Sequence, residues 1–333
     1  MKIIVRAAAF LVIISALVGS IACKGGSFAR ATPSPAQLLS SYQFSPDSSI
    51  ISRTGTVPAI FLEHMRRVDK QQHYRAYTPT SAERESLRRA IARLPRAFRV
   101  TLKRHVIGIY FIENFLSNGY QEWVQSRDGK LYSIMVLHPR QFRLSASSLL
   151  TMRERTNFKD DGSGVKIHYI VPKRWTALDY LLRHEIVHAL DYARRITPFV
   201  SLSVRAAQEK MGPSRNFGVK YWKDWNRLRS KFDFEEREYV TFYGMRNGPW
   251  FNLESAQYLY LELAKSPFAS LYGMQSRHED VAELAALGSM CAADCRIEIE
   301  SSPRMTTIHE LFSNAVTRAR ADRALEIMDR LTR

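Results

Sequence analysis

The alternation of apolar and polar positions divides the chain into helical and extended stretches. Residues 80–83 (Thr-Ser-Ala-Glu) form a capping-box pattern, which predicts a helix that ends near Leu94 because Pro95 cannot continue it. Runs rich in β-branched and aromatic residues predict three strands, at 106–112, 131–138 and 165–171. The Asp-Gly pair at 128–129 predicts a turn between the first two strands, and residues 160–164 predict a turn before the third.

A strongly apolar helical stretch at residues 181–190 carries the pattern His-Glu-x-x-His. His184 and His188 are one helical turn apart, so both rings lie on one face, where they can bind the same metal ion. Glu185 is next to the first ring and can act as a general base on water at the metal. A surface helix that carries two His by chance is the alternative, but the apolar flanks favour a buried helix. Two ring ligands do not complete a zinc site, so a third must come from elsewhere.

The rest of the chain is predicted to be mostly helical. Helices are expected at 253–265, 277–286, 306–314 and 317–331. Aromatic and basic residues are interspersed in 202–245, a composition that can bind nucleic acid, although packing of a helical insertion is the favoured interpretation. The order of elements predicts an α+β fold: a small mixed sheet, the helix with both His, and a mostly helical C-terminal half. The expected division is an N-terminal part at 59–200 and a C-terminal part at 201–333.

The N-terminus has the form of an export signal. Residues 1–22 combine basic residues, a short apolar run and small residues at the cleavage position. Cys23 directly follows Ala22, as in a bacterial lipobox, and would then carry a lipid that anchors the protein in the membrane. Ser20, where such boxes usually have Leu, leaves an ordinary secretory signal as the alternative. Residues 23–58, rich in Ser and Pro, predict a tether, and the whole segment predicts a lipoprotein of the bacterial cell envelope or a secreted protein.

Charge is the unusual feature of the composition. The chain has 49 Lys and Arg against 32 Asp and Glu, a formal net charge of +17. This balance favours anionic surroundings, such as a phospholipid surface, an acidic wall polymer or an acidic protein substrate. The basic residues are scattered, which also fits a general solubilising charge, and no nucleic-acid partner is expected for an exported chain.

The cysteines also fit export. If Cys23 is lipidated, Cys291 and Cys295 remain as a pair. Their spacing is unlike that of zinc ribbons, and an oxidising compartment permits a disulfide. We predict this disulfide, with two free structural thiols as the alternative.

The predicted helix at 277–286 supplies candidates for the third metal ligand. Glu279 and Glu283 are four residues apart, so both can face one site. Glu279 is the expected oxygen ligand, and Glu283 is expected to accept a hydrogen bond from the free ring nitrogen of a His ligand. Asp191, three residues after His188, is a further candidate for a supporting contact.

Other interpretations of these residues remain open. Glu279 and Glu283 can also form the acidic face of a solvated helix. His278 is a rival ligand, although it points about 100° away from Glu279 around the helix. His309 lacks a second His at ligand spacing.

The two patches together resemble the gluzincin metallopeptidases, and among them the group of anthrax lethal factor and Pro-Pro endopeptidase. That group has a Tyr-Gly pair seven residues before the ligand Glu, which begins an E-x-x-A-E helix. In this chain Tyr272-Gly273 precedes Glu279 by seven residues, and Ala282 and Glu283 complete the helical pattern. The resemblance implies a zincin-like fold and the following roles: Zn²⁺ ligands His184, His188 and Glu279, catalytic Glu185, and Tyr272 as a transition-state hydrogen-bond donor.

The chain departs from that pattern in three places. The 91 residues from His188 to Glu279 are a long gap, which implies an insertion around 202–260. Val187 occupies a position where the family often has Gly. A second Tyr-Gly pair at 243–244 competes with Tyr272, which is otherwise explained as a packed core aromatic.

The sequence therefore predicts a zinc-dependent endopeptidase acting on a protein or peptide. Glu185 would take a proton from the attacking water and pass it to the leaving amine, while zinc and Tyr272 stabilise the oxyanion. In zincin-type folds an exposed strand beside the zinc helix can hold an extended peptide by backbone hydrogen bonds. The alternative is a surface lipoprotein that binds a protein or anionic wall polymer on an inactive peptidase scaffold. Glu185 argues against it, because it is needed for catalysis and not for binding zinc.

Overall fold

The computed structural model describes residues 33–197, 217–291, 294–302 and 305–333 and shows a mixed α+β fold. The predicted signal peptide at 1–22, Cys23 and the first residues of the predicted tether lie outside the described residues. Helices α1 to α8 span Ala59–Asp69, Ser81–Ala92, Arg96–His105, Ala146–Arg155, Ala177–Arg194, Ala256–Lys265, Arg277–Met290 and Ala315–Thr332. Strands β1 to β10 span Thr54–Gly55, Arg75–Tyr77, Val106–Glu113, Gly119–Gln125, Leu131–Leu137, Phe158–Lys159, Lys166–Ile170, Phe251–Asn252, Arg296–Ser302 and Met305–Glu310.

The main sheet has the order β1-β3-β5-β4, with β2 also paired to β3. β3 and β5 are parallel, and β4 returns antiparallel to β5 with Gly119 opposite Leu137. The turn at Asp128 and Gly129 therefore joins β4 to β5 and does not join the two predicted strands. Sequence analysis missed β4 because polar residues interrupt it. This missed strand forms an edge of the sheet beside α5.

Three helices, α1, α3 and α4, were also missed, and α3 and α4 pack against α5. α2 begins at the predicted capping box, with the Thr80 side chain accepting a hydrogen bond from the Glu83 N–H. Pro95 ends α2 and then caps α3, because a proline is compatible with the start of a helix. α4 begins at Ser145, whose hydroxyl accepts a hydrogen bond from the Ser148 N–H.

The C-terminal half contains a β-hairpin that the sequence analysis assigned in part to a helix at 306–314. β9 and β10 pair antiparallel, and β9 also pairs with β7, where Ile299 lies opposite Ile167. Alternating buried isoleucines make β9 a half-buried strand. The described part of the predicted helical insertion, from residue 217 onward, contains short 3₁₀ turns and irregular chain, although Trp222 and Phe242 are buried as expected for core packing.

Residues 33–58 differ from the predicted tether because they are folded onto the main sheet. β1 pairs with β3, and Leu38 forms a bridge with Gln125 at the end of β4. Ala36 and Val57 join a core cluster with α1 on the face of the sheet opposite α5. This segment is therefore an integral part of the structure.

One hydrophobic core extends across the predicted boundary at residue 200, since it includes residues of α5 and of α7. A disulfide links Cys291 to Cys295, and both residues are buried. Among the described residues, no helix is both long and apolar enough to cross a membrane.

Candidate metal centre

Helix α5 is a fixed support for the candidate site. Its first turn has a capping box, in which the Thr176 hydroxyl accepts from the Asp179 N–H and the Asp179 carboxylate accepts from the Thr176 N–H. The Arg93 guanidinium donates two hydrogen bonds to the same carboxylate. All residues of α5 from its start through Asp191 are buried, because the main sheet and α2, α3, α4 and α7 pack around this helix.

Three donor atoms converge between α5 and α7. The Nε2 atoms of His184 and His188 are 3.1 Å apart. Glu279 Oε2 lies 3.0 Å from His184 Nε2 and 3.5 Å from His188 Nε2. Residues more than 90 positions apart in the sequence thus form a compact cluster that could hold a metal cation.

The first turn of α7 places the Glu279 carboxylate. The Ser276 hydroxyl caps the helix by accepting a hydrogen bond from the Glu279 N–H at 3.2 Å. Burial acts against ionisation of Glu279, but both His rings together lower its pKa well below the usual range. The side chain is 22% exposed, so the cluster borders the surface on this side.

Glu283 lies one turn further along α7 and contacts the opposite side of the His184 ring. Its Oε1 is 3.1 Å from His184 Nδ1, as expected for a carboxylate that orients a ligating ring. The Arg153 guanidinium donates to both carboxylate oxygens, at 3.1 and 2.9 Å, and the hydroxyls of Tyr180 and Ser270 also donate. Burial opposes ionisation, but Arg153 and His184 hold the pKa of Glu283 far below its usual value.

Sequence analysis missed Arg153 and Tyr180. Arg153 on α4 is 3% exposed, and its guanidinium lies 4.5 Å from the centre of the Tyr272 ring. Tyr180 precedes His184 by one turn of α5, a spacing that could have indicated its place beside that ring. No local pattern indicates that Arg153 contacts Glu283, because the two residues are 130 positions apart in the sequence.

The two His rings of the cluster differ in their electrostatic environment. Burial lowers the pKa of His184, but its contacts with Glu279 and Glu283 reverse this effect and raise the pKa to about 10. Burial lowers the pKa of His188 to about 4. Contacts with two carboxylates thus favour the protonated form of His184, whereas burial favours the neutral form of His188.

Glu185 faces a narrow cleft between α5 and β4. Burial raises the pKa of its carboxyl group to about 7, against the opposing influence of His184. A Cβ atom added to Gly119 would lie 2.7 Å from Glu185 Oε1. Because Gly119 has no side chain, the Glu185 carboxylate can pack directly against β4, the edge strand of the main sheet.

Tyr243 and Tyr272 line the same cleft, together with Tyr180. The cleft is lined by Ser117, Asn118, Gly119, Leu149, Arg153, Tyr180, Leu181, His184, Glu185, Tyr243 and Tyr272. Tyr272 packs edge-on against Phe242, and its ring centre is 5.9 Å from that of His184. The Tyr243 hydroxyl accepts a hydrogen bond from Asn118 at 2.9 Å. Burial raises the pKa of both phenols, that of Tyr243 to about 12, so both are protonated donors at neutral pH.

Asp191, the further candidate for a supporting contact, makes its hydrogen bonds with His278 and Thr197 and not with His184 or His188. Its Oδ2 lies 2.9 Å from His278 Nδ1, and Thr197 donates two further hydrogen bonds to the carboxylate. Although burial opposes ionisation, His278 and Thr197 lower the pKa of Asp191. His278 is not among the clustered ligands, but its ring centre is 4.4 Å from that of His188.

The structure thus brings His184, Glu185, His188, Glu279 and Glu283 together, with Tyr272 lining the adjoining cleft. His309 lies elsewhere, on β10, with its ring centre 6.4 Å from that of Tyr260. In comparisons with protein-family models, curated proteins and solved structures, nothing matched this chain significantly.

Proposed function

We propose that this chain is a zinc-dependent endopeptidase of the gluzincin type, built on a zincin-like arrangement of sheet and helix. The observation that carries the proposal is the convergence of His184, His188 and Glu279 beside the buried carboxylate of Glu185. A carboxylate at the mouth of a cleft, next to a two-His, one-Glu donor set, is the arrangement that hydrolytic zinc sites use.

The distances among the three donors suit a small tetrahedral cation. Bonds of 2.0–2.1 Å from zinc place neighbouring ligands of a tetrahedron about 3.3 Å apart. The donor separations of 3.0, 3.1 and 3.5 Å are close to this value. Because Glu283 accepts a hydrogen bond from Nδ1 of His184, loss of the Nε2 proton on metal binding would leave the lone pair of that ring facing the other donors. His184, His188 and Glu279 would therefore hold the ion and leave a fourth position open.

The residues around the cluster have separate tasks in peptide hydrolysis. Bound zinc would supply Lewis acidity, polarising a peptide carbonyl and making water more acidic. Glu185 takes a proton from the attacking water and delivers it to the nitrogen of the leaving amine. The Tyr272 phenol donates a hydrogen bond to the oxygen on which negative charge develops, and the neighbouring Tyr243 helps to form the cleft wall.

A protein or peptide substrate would lie along β4 in an extended conformation. β4 is an edge strand, and its first residue, Gly119, is next to Glu185. Extended peptides bind such edges through backbone hydrogen bonds. This position would bring a peptide bond of the substrate to the catalytic carboxylate.

The proposed location is the bacterial cell envelope, with the chain anchored by a lipid on Cys23 or secreted. The sequence of residues 1–23 supports export. The net charge of +17 suits a protein that works beside anionic lipid or wall polymer, and a nucleic-acid partner is not part of the proposal. The disulfide between Cys291 and Cys295 is compatible with an oxidising compartment.

Replacement of the general base tests this function directly. We expect Glu185→Gln to lower hydrolysis of a peptide library by at least about a hundredfold, the usual contribution of a general base. Zinc content should be unchanged, because Glu185 is not among the donors of the cluster. The control is Glu63→Gln, at an exposed position on α1. A zinc-loaded wild-type protein that hydrolyses no peptide would contradict the proposal and favour a binding protein. Equal activity in Glu185→Gln would contradict the role of Glu185 as the general base.

A further inference from the structure

The two His rings of the cluster are held in different ways. His184 has a hydrogen-bonding partner for its Nδ1 atom, since Glu283 Oε1 lies 3.1 Å away. His188 Nδ1 is buried and has no hydrogen-bond partner among the described residues. On its Nδ1 side, the His188 ring is therefore held by packing against its neighbours.

His278 supplies this packing. Its ring centre is 4.4 Å from that of His188, with 34° between the ring planes, so the two rings are partly stacked. The Tyr192 ring meets His278 edge-on at 5.6 Å. His278 directly precedes Glu279 on the first turn of α7, so one turn delivers both a donor carboxylate and the ring that covers His188.

Asp191 fixes the position of His278. The Asp191 carboxylate is 3% exposed and lies 2.9 Å from His278 Nδ1. The Thr197 N–H and hydroxyl, both at 2.6 Å, hold the same carboxylate in place. Asp191 itself belongs to α5, one turn after His188, so this contact links α5 back to α7 beside the donor cluster.

We propose that His278, held by Asp191, is a positioning residue that orients the His188 ring for metal binding. Stacking restricts rotation of the ring, so that Nε2 stays directed toward His184 and Glu279. The pair therefore replaces, for His188, the hydrogen bond that Glu283 provides to His184. This inference rests on the proposed function, because it assumes that the cluster binds zinc.

Zinc affinity is the measurement that tests this role. The full chain and its variants would compete with a chromophoric chelator for zinc, and unfolding of each metal-free protein would be measured in parallel. We expect His278→Ala to weaken affinity about 10–100-fold, the usual cost of losing a residue that orients a ligand. His278→Phe keeps an aromatic ring beside His188 and should restore part of the affinity. The exposed His73, replaced by Ala, is the matched control and should bind zinc as the wild type does.

The role of Asp191 in holding His278 can be tested separately. Asp191→Asn should also weaken zinc binding, and the double variant with His278→Ala should bind no more weakly than His278→Ala alone, because both changes remove the same support. Independent, additive losses would overturn the link between the two residues.

The outcomes separate this inference from the proposed function. A wild-type protein that binds no zinc overturns both. Zinc binding by the wild type with unchanged affinity in His278→Ala overturns only the positioning role. An affinity loss in His278→Ala that is matched by an equal loss in folding stability, with no recovery in His278→Phe, also overturns it, since the residue would then be merely structural.

Discussion

Glu185 and Gly119 illustrate how a single missing side chain shapes the candidate site. The carboxylate occupies the space that a Cβ at Gly119 would need, and the same Cβ would come within 3.2 Å of Leu137 and Leu181. The 2.7 Å separation from Glu185 Oε1 is too short for non-bonded atoms and the two leucine contacts are tight, so a side chain here must displace Glu185 or widen the gap between α5 and β4. The position of the proposed base thus depends on a residue of another element.

Substitution of this glycine gives a specific prediction. Gly119→Ala should lower kcat/KM for peptide hydrolysis by roughly tenfold to a hundredfold, because small misplacements of a catalytic group are costly. Zinc stoichiometry should stay unchanged, since the donors do not contact Gly119. The control is Gly55→Ala, where an added Cβ meets nothing within 4 Å. Undiminished turnover in Gly119→Ala would show that Glu185 does not need this space.

At the scale of elements, local signals predicted α2, α5 and α7 well. The capping residue Thr80 lies where expected, and the one-turn spacing of His184 and His188 places both rings on one side of α5. These predictions succeeded because a cap and a one-turn spacing are local properties of a helix. They needed no knowledge of the distant chain.

Elements whose identity depends on tertiary contacts were not predicted. β4 contains Gln121 and Glu122, which are buried by neighbouring structure and interrupt the strand pattern. The hairpin of β9 and β10 exists because β7 provides a partner, whereas residues 306–314 alone resemble a helix. Arg153 was missed for the same reason. Its contact with Glu283 joins α4 to α7 and produces no periodic pattern in the sequence.

The strand β10 also carries a buried histidine that should make stability depend on pH. Burial lowers the pKa of His309 to about 4, and its Nε2 has no hydrogen-bond partner among the described residues. Above the unfolded pKa of about 6.5 the residue is neutral in both states and has no effect. Between about pH 6.5 and 4 the unfolded chain binds a proton that the folded protein excludes, so falling pH destabilises the fold.

His309→Phe should remove this pH-dependent loss of stability. Relative to wild type, the variant should gain roughly 2–3 kcal/mol in free energy of unfolding as pH falls from 7 to 4, as measured by denaturant titration at each pH. The same substitution at the exposed His73 is the control. A difference between wild type and His309→Phe that stays constant over this range would contradict the prediction.

At the scale of the whole molecule, the site depends on bringing distant segments into one core. The cleft and the cluster use residues from β4, α4, α5, α7 and the chain just before α7. Packing of α7 on α5 brings Glu279 back to the His pair, although 91 positions separate it from His188 in the sequence. Buried contacts at Glu283 and Asp191 stabilise this packing on either side of the donors.

The central claim is that His184, His188 and Glu279 together bind one zinc ion. Elemental analysis of the purified mature protein, wild type beside Glu279→Ala, measures this most directly. The account predicts about one zinc per chain in the wild type and loss of most of it in Glu279→Ala, because two ring ligands leave the coordination incomplete. Absence of zinc from the wild type after exposure to the metal, or full zinc content in Glu279→Ala, would contradict it.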